Sequence, residues 1–282
     1  MTRFTKAKKS LGQNFLTDQQ VARRIIDSVF PRSTDIVVEI GPGTGALTRM
    51  LVERSGFVEA VELDQMLADE LRRSIRAENL SILTADALTL DWGKLITDAK
   101  AKFHSLRDDD RDKTRVRIVA NLPYYISTPI LQKLLSLGRR LTDMTLMLQK
   151  EVADRITTGP GSKEYGSLSV MVQYYCIAAK LFEVPPAAFT PMPKVQSAVI
   201  KLTVRERPAV EVADEARFFA LVRAAFAQRR KTILNNLKAA ATTLNFPQPL
   251  EAALEAASVA PQRRAETLSL AEFAALCTAL YR

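Results

Sequence analysis

Six residues, Asp35-Ile36-Val37-Val38-Glu39-Ile40, constrain this chain most, because they run without a break into Gly41-Pro42-Gly43-Thr44-Gly45. A short, mostly apolar run followed by glycines reads as a buried strand that ends in a tight loop. Ala46 to Glu53 then reads as a helix and Phe57 to Leu63 as a second strand. Asp64 caps a helix carrying Met66, Leu67, Leu71 and Ile75. Leu80 to Leu83 is a third strand, followed by Thr84-Ala85-Asp86-Ala87. This βαβαβ order predicts an α/β fold with a parallel sheet and right-handed crossovers.

A fourth strand, Val116 to Ala120, runs into Asn121-Leu122-Pro123-Tyr124. After it, Ser127 or Thr128 caps a helix that ends by Gly138, with Pro129 in its first turn. The tetrad thus sits at the carboxyl end of a strand, where open α/β sheets bind ligands. Its residue types suit alkylation of an exocyclic amine on a planar base. The lone pair of adenine N6 is delocalised into the ring. Two acceptors, the Asn121 side-chain oxygen and a backbone carbonyl such as that of Leu122, would bind its two hydrogens and favour a pyramidal nitrogen. Pro123 stiffens the turn and Tyr124 offers a face for stacking. The competing reading is a tight strand-to-helix turn with Asn121 as its turn residue.

The glycine loop alone does not separate S-adenosylmethionine from a nicotinamide dinucleotide. Glu62 ends the next strand, about twenty residues beyond Gly41, where a carboxylate grips ribose hydroxyls. Asp86 ends the third strand and is placed to accept from an adenine amino group. With the tetrad on the fourth strand, the set favours the methyl donor.

Elsewhere the pattern is less chemical. Thr17 or Asp18 caps a helix to about Phe30, after a basic tail over residues 1–16 that RNA or cofactor would order. Periodicity fades between Trp92 and Arg115, and the charge run Arg107 to Lys113 reads as a surface insertion. Met144 to Leu148 is a strand, Lys150 to Thr157 and Leu168 to Tyr175 are helical, and Ile177 to Val184 and Ser197 to Val204 read as closing edge strands. Between these last two, Phe189-Thr190-Pro191-Met192-Pro193-Lys194-Val195 is an extended loop. Arg205 to Pro208 reads as a linker, and helices follow. The domains expected are therefore 1–204 and a small all-α unit over 209–282.

The net charge of +9 suggests a polyanionic partner, and Arg229-Arg230-Lys231 would hold phosphates. Cys176 and Cys277 lack metal or redox spacing, and the single histidine, His104, makes a zinc site or histidine catalysis an unpromising reading. No apolar run is long enough to span a membrane, and the N-terminus lacks the apolar core of a secretory signal, so the cytoplasm is the expected location.

Five stretches carry a resemblance: Gly12 to Leu16, Glu39 to Thr48, Asn121 to Tyr124, Phe189 to Ser197 and Phe226 to Thr232. Together they resemble the KsgA-type small-subunit rRNA adenine dimethyltransferases. The resemblance implies a Rossmann-like S-adenosylmethionine-dependent methyltransferase domain and a small helical RNA-binding domain. It implies transfer of two methyl groups to N6 of each of two adjacent adenosines near the 3′ end of small-subunit rRNA. The enzyme would act as a monomer on a 30S assembly particle, without a metal. By the same resemblance, Asn14, Leu16, Gly41, Glu62, Asp86 and Asn121 contact the cofactor, and Asn121, Tyr124 and Phe189 form the target-base pocket. Tyr125 departs from the Asn or His expected at its position. Two alternatives stand beside this reading: an Erm-type large-subunit rRNA methyltransferase, and a non-catalytic RNA-binding assembly factor on the same scaffold.

Overall fold

The computed structural model describes residues 8, 12–106, 114–123 and 126–282. By its internal contacts the chain forms two compact units, Met1–Ala153 with Ala179–Val204, and Asp154–Ala178 with Arg205–Arg282.

The first unit is built on a sheet. Its parallel strands are β2 (Asp35–Ile40), β3 (Phe57–Glu62), β4 (Leu80–Thr84), β5 (Arg115–Asn121) and β6 (Asp143–Gln149). With β7 (Cys176–Val184) and β9 (Ser197–Val204) they form seven strands in the order β4-β3-β2-β5-β6-β9-β7, and β9 runs antiparallel to β6. A separate two-stranded ladder joins β1 (Phe15–Leu16) to β8 (Phe189–Thr190). Strands β2 and β3 are buried at every residue, as parallel strands covered on both faces must be. The helices of this unit are α1 (Gln19–Val29), α2 (Thr48–Arg54), α3 (Gln65–Ser74), α4 (Trp92–Leu106) and α5 (Ser127–Leu135). Asp18 and Asp64 accept from backbone N–H groups at the starts of α1 and α3, as their sequence positions predict.

Three local expectations are corrected. Residues 92–106 form a helix rather than part of a fading loop, with Trp92, Leu95, Ile96, Ala99 and Phe103 buried along one stripe. Residues 107–113 lie outside the described residues. The glycine loop reaches further than predicted, because α2 begins at Thr48 and not at Ala46. Helix α5 begins at Ser127 itself, with Ile126 as its N-cap.

At the amino ends of three strands lies a buried ion cluster. Arg117 of β5 donates through Nε to Asp35 of β2 at 2.8 Å, through Nη1 to Asp143 of β6, and to the Val29 carbonyl at 3.3 Å. All three charged residues are at most 5% exposed.

The second unit holds α7 (Ser167–Tyr175), α8 (Glu215–Ala225), α9 (Ile233–Leu244), α10 (Leu250–Ala256) and α11 (Leu270–Leu280), while α6 (Lys150–Thr157) starts in the first unit and ends in the second. This division departs from the expected 1–204 and 209–282. Residues 154–178 go with the C-terminal helices because Tyr165, Val170 and Tyr174 share a core with Phe218, Leu221 and Phe273. The Tyr174 ring lies 5.4 Å from that of Phe218, and its hydroxyl donates to Glu215.

A candidate active site at the carboxyl ends of the strands

Parallel strands all present their carboxyl ends on one edge, so the loops after β2, β3, β4 and β5 converge there. They line one cleft that encloses about 1050 Å³ of atom-free space, adjoining solvent included. Of the residues expected at the cofactor and the base, Asn14, Leu16, Gly41, Glu62, Asp86, Asn121 and Phe189 all line it. Tyr124 and Tyr125 lie outside the described residues.

Glu62, at the end of β3, is 5% exposed. Its Oε2 accepts from the Gly43 N–H at 3.0 Å, and its Oε1 from the Asp64 N–H at 2.9 Å. The carboxylate is thereby locked between the glycine loop and the start of α3. Burial raises its pKa, and the two backbone donors offset part of that rise. Gly43 must be glycine twice over: its φ is +57°, and a Cβ would stand 3.0 Å from the Phe15 ring. Gly45 is similar, with φ +81° and a Cβ position 2.7 Å from a Leu71 methyl. Asp86 turns the chain after β4 by accepting from the Leu88 N–H at 2.8 Å.

Asn121 ends β5. Its Nδ2 donates to the Asn14 backbone carbonyl at 3.2 Å. A carbonyl accepts only, so this contact settles which end of the amide is which and turns Oδ1 the other way. The Asn14 segment is itself pinned. Phe15 pairs with Thr190 and Leu16 with Phe189, and the Ala188 carbonyl accepts from the N–H groups of Thr17 and Asp18. The loop expected to be merely extended is therefore in part a strand, and it zips the N-terminal motif to the Phe189 motif. Phe189 reaches the cleft but is 4% exposed, with its ring in the core cluster that includes Leu16, Val37 and Val199.

Two features, one in the cleft and one beside it, went unassigned in the sequence. Glu39 is 2% exposed, and its Oε2 has no hydrogen-bond partner. Burial pushes its pKa up to about 8, the Thr48 hydroxyl works against that rise, and the Glu62 charge adds a smaller contribution to it. Its place as the first residue of the Glu-x-Gly-x-Gly pattern was the available signal. Asp64 was read as a cap only, yet Lys8 Nζ pairs with it at 2.9 Å and Gln13 Nε2 approaches at 3.4 Å. That contact ties the N-terminal segment to the residue whose N–H holds Glu62.

Arg229, Arg230 and Lys231 belong to the second unit, not to this cleft. They are exposed and lie in the turn between α8 and α9 rather than in a helix.

The comparisons with known proteins agree with this geometry. The sequence model described as ribosomal RNA adenine dimethylase matches residues 4–278. A protein of Bacillus pumilus named ribosomal RNA small subunit methyltransferase A is 46% identical, across 98% of this chain and 91% of its own length. Among solved structures, a dimethyladenosine transferase from Plasmodium falciparum is 27% identical with a TM-score of 0.73, covering 93% of this chain and 95% of its own. The 23S rRNA methyltransferase ErmE is 26% identical with a TM-score of 0.69, covering 95% and 99%. A family match over nearly the whole chain, on a methyltransferase fold with its acidic and amide residues gathered in one cleft, means that this chain belongs to the ribosomal RNA adenine dimethylase family.

Proposed function

We propose that the enzyme, an rRNA adenine dimethyltransferase, uses S-adenosylmethionine to methylate N6 of two adjacent adenosines near the 3′ end of small-subunit rRNA. The observation that supports this reading best is the meeting of Glu62, Asp86 and an oriented Asn121 in one cleft. The likeness to ErmE is weaker, at 26% identity against 46% for the small-subunit relative, so the small-subunit substrate is preferred.

The cleft suits the proposed cofactor. Glu39 offers a buried, unpartnered oxygen, which a cationic ligand group would satisfy while drawing the carboxyl back to its charged form. Glu62 keeps lone pairs for ribose hydroxyls beside its two backbone donors, and Asp86 is placed for the adenine amino group. The bound cofactor supplies an electrophilic sulfonium methyl. Asn121 Oδ1 accepts from an N6 hydrogen and holds the lone pair toward that methyl. The target base is extruded to reach the cleft, and Tyr124 and Phe189 form its stacking walls. The first methylation has two N–H groups to hold and the second only one, so the second needs a single acceptor. The enzyme works in the cytoplasm, as a monomer, on a 30S assembly particle and without a metal.

The test is mass mapping of methylated adenosines after incubation with undermethylated 30S particles and labelled S-adenosylmethionine. Two adjacent dimethyladenosines are expected, and methylation confined to large-subunit rRNA would overturn the assignment. Calorimetry separates an enzyme from a non-catalytic RNA binder, because only the enzyme needs the cofactor site. Glu62→Ala is expected to weaken cofactor binding by roughly 1–3 kcal/mol. An unchanged cofactor affinity in the folded variant would remove Glu62 from the site.

A further inference from the structure

The turn from Phe226 to Thr232 is held from inside the second unit by one buried amide. Asn236 lies one turn into α9 and is 4% exposed. Its Nδ2 donates to the Ala225 carbonyl at 2.7 Å and to the Gln228 carbonyl at 3.1 Å. The first of these residues is the last of α8, and the second is in the turn itself. Both protons of the amide are therefore spent on closing the end of one helix and fixing the start of the basic run. Thr232 caps α9 by accepting from the Asn235 N–H at 3.3 Å, which fixes the other end of the turn.

The three basic residues in the turn are not equivalent. The Arg229 guanidinium donates to the Lys163 carbonyl, and its Nη2 lies 3.9 Å from the Glu266 carboxylate. The loop holding Lys163 is joined in turn to Glu266, because the Gly161 N–H donates to the Glu266 carbonyl at 2.7 Å. Arg229 thus faces its own unit, with its charge partly answered there. Arg230 and Lys231 are exposed on the same turn, with no acidic partner among the described residues.

We propose that Asn236 is the positioning residue of an RNA-binding turn in which Arg230 and Lys231 hold the phosphates and Arg229 is a strut. This rests on the reading that the turn meets rRNA, and adds which residues touch it and what presents them. Two phosphate ligands on a short turn bind well only if the turn is already formed, since ordering it on binding subtracts from the affinity. Asn236 supplies that preorganisation without touching RNA.

The test is binding of the full-length protein to undermethylated 30S particles between 50 and 200 mM KCl. Arg230→Ala/Lys231→Ala should lower the salt slope by about two, one unit for each phosphate contact. Arg229→Ala should leave the slope unchanged. Asn236→Ala should weaken binding by roughly threefold to tenfold in the wild-type background, the size of a charged contact partly lost. In the Arg230→Ala/Lys231→Ala background the same change should have no further effect, because nothing remains to position. An equal loss in both backgrounds would make Asn236 a general stability residue and overturn the proposal. So would a drop of about one slope unit in Arg229→Ala. If Arg230→Ala/Lys231→Ala binds as wild type does, the reading of this turn as an RNA contact falls, and the inference falls with it.

Discussion

Asn121→Ala is expected to reduce methyl transfer by roughly 10²- to 10³-fold, the loss typical when one preorganised polar group at the reacting centre is removed. The physical reason is orientation. Asn121 lines the cleft and its Nδ2 is committed to the Asn14 carbonyl, which leaves Oδ1 as the acceptor proposed for N6. Alanine removes the acceptor and frees the Asn14 segment from the end of β5. Asn121→Asp should also be slow, although its shape is nearly unchanged, because a carboxylate set against the Asn14 carbonyl repels it and turns away. Single-turnover transfer of labelled methyl groups checks both. Cofactor affinity should fall far less than the rate, since Glu62 and Asp86 remain. An Asn121→Ala enzyme within threefold of wild type would assign Asn121 to the strand-to-helix turn and nothing more.

The largest stability effect is expected at the opposite end of the same strand. Arg117→Ala should cost the first unit roughly 3–5 kcal/mol, the usual penalty for breaking a buried ion pair by removing one partner. Arg117 is the only cation within hydrogen-bond reach of both Asp35 and Asp143 among the described residues, and its loss strands two buried carboxylates. Each already has one oxygen without a partner, and among the described residues only Asp35 of the two keeps another bond, from the Arg32 N–H at 3.0 Å. Burial also raises the Asp143 pKa, against the pull of Arg117 and Lys201. Asp143→Asn should be milder, because Arg117 keeps Asp35 and the Val29 carbonyl. Urea unfolding followed by circular dichroism measures the difference. If the two variants unfold at the same midpoint, the cluster is not organised around Arg117.

Much of the scaffold was legible along the chain because it depends on near neighbours. Asp35 to Ile40 and Phe57 to Glu62 are mostly apolar, without the polar–apolar alternation of a half-exposed strand, as suits a parallel sheet covered on both faces. Asp18, Asp64 and Asp214 cap the helices they precede, since a cap bond spans two or three residues. Helix α4 was missed, although the stripe Trp92, Leu95, Ile96, Ala99, Phe103 has helical spacing, because it runs into a charge run. The candidate site residues at the ends of β2 to β5 were legible for the same reason, since strand ends can be read before the sheet is known.

What the sequence by itself determined, then, is the order of strands and helices, the glycine loop, the caps and the acids and amide at successive strand ends. Only the tertiary structure decided the contacts between distant segments. Nothing local pairs Phe15-Leu16 with Thr190-Phe189, or sets Asn14 against Asn121 across 107 residues. An arginine inside an apolar strand announces a buried charge, but its partners depend on which strands flank β5. The three basic residues of the turn look alike in sequence, and only the fold separates Arg229, which meets Lys163 and Glu266, from its two neighbours. Local structure follows from propensities and hydrogen bonds within a few residues, whereas these pairings exist only once burial has brought remote segments together.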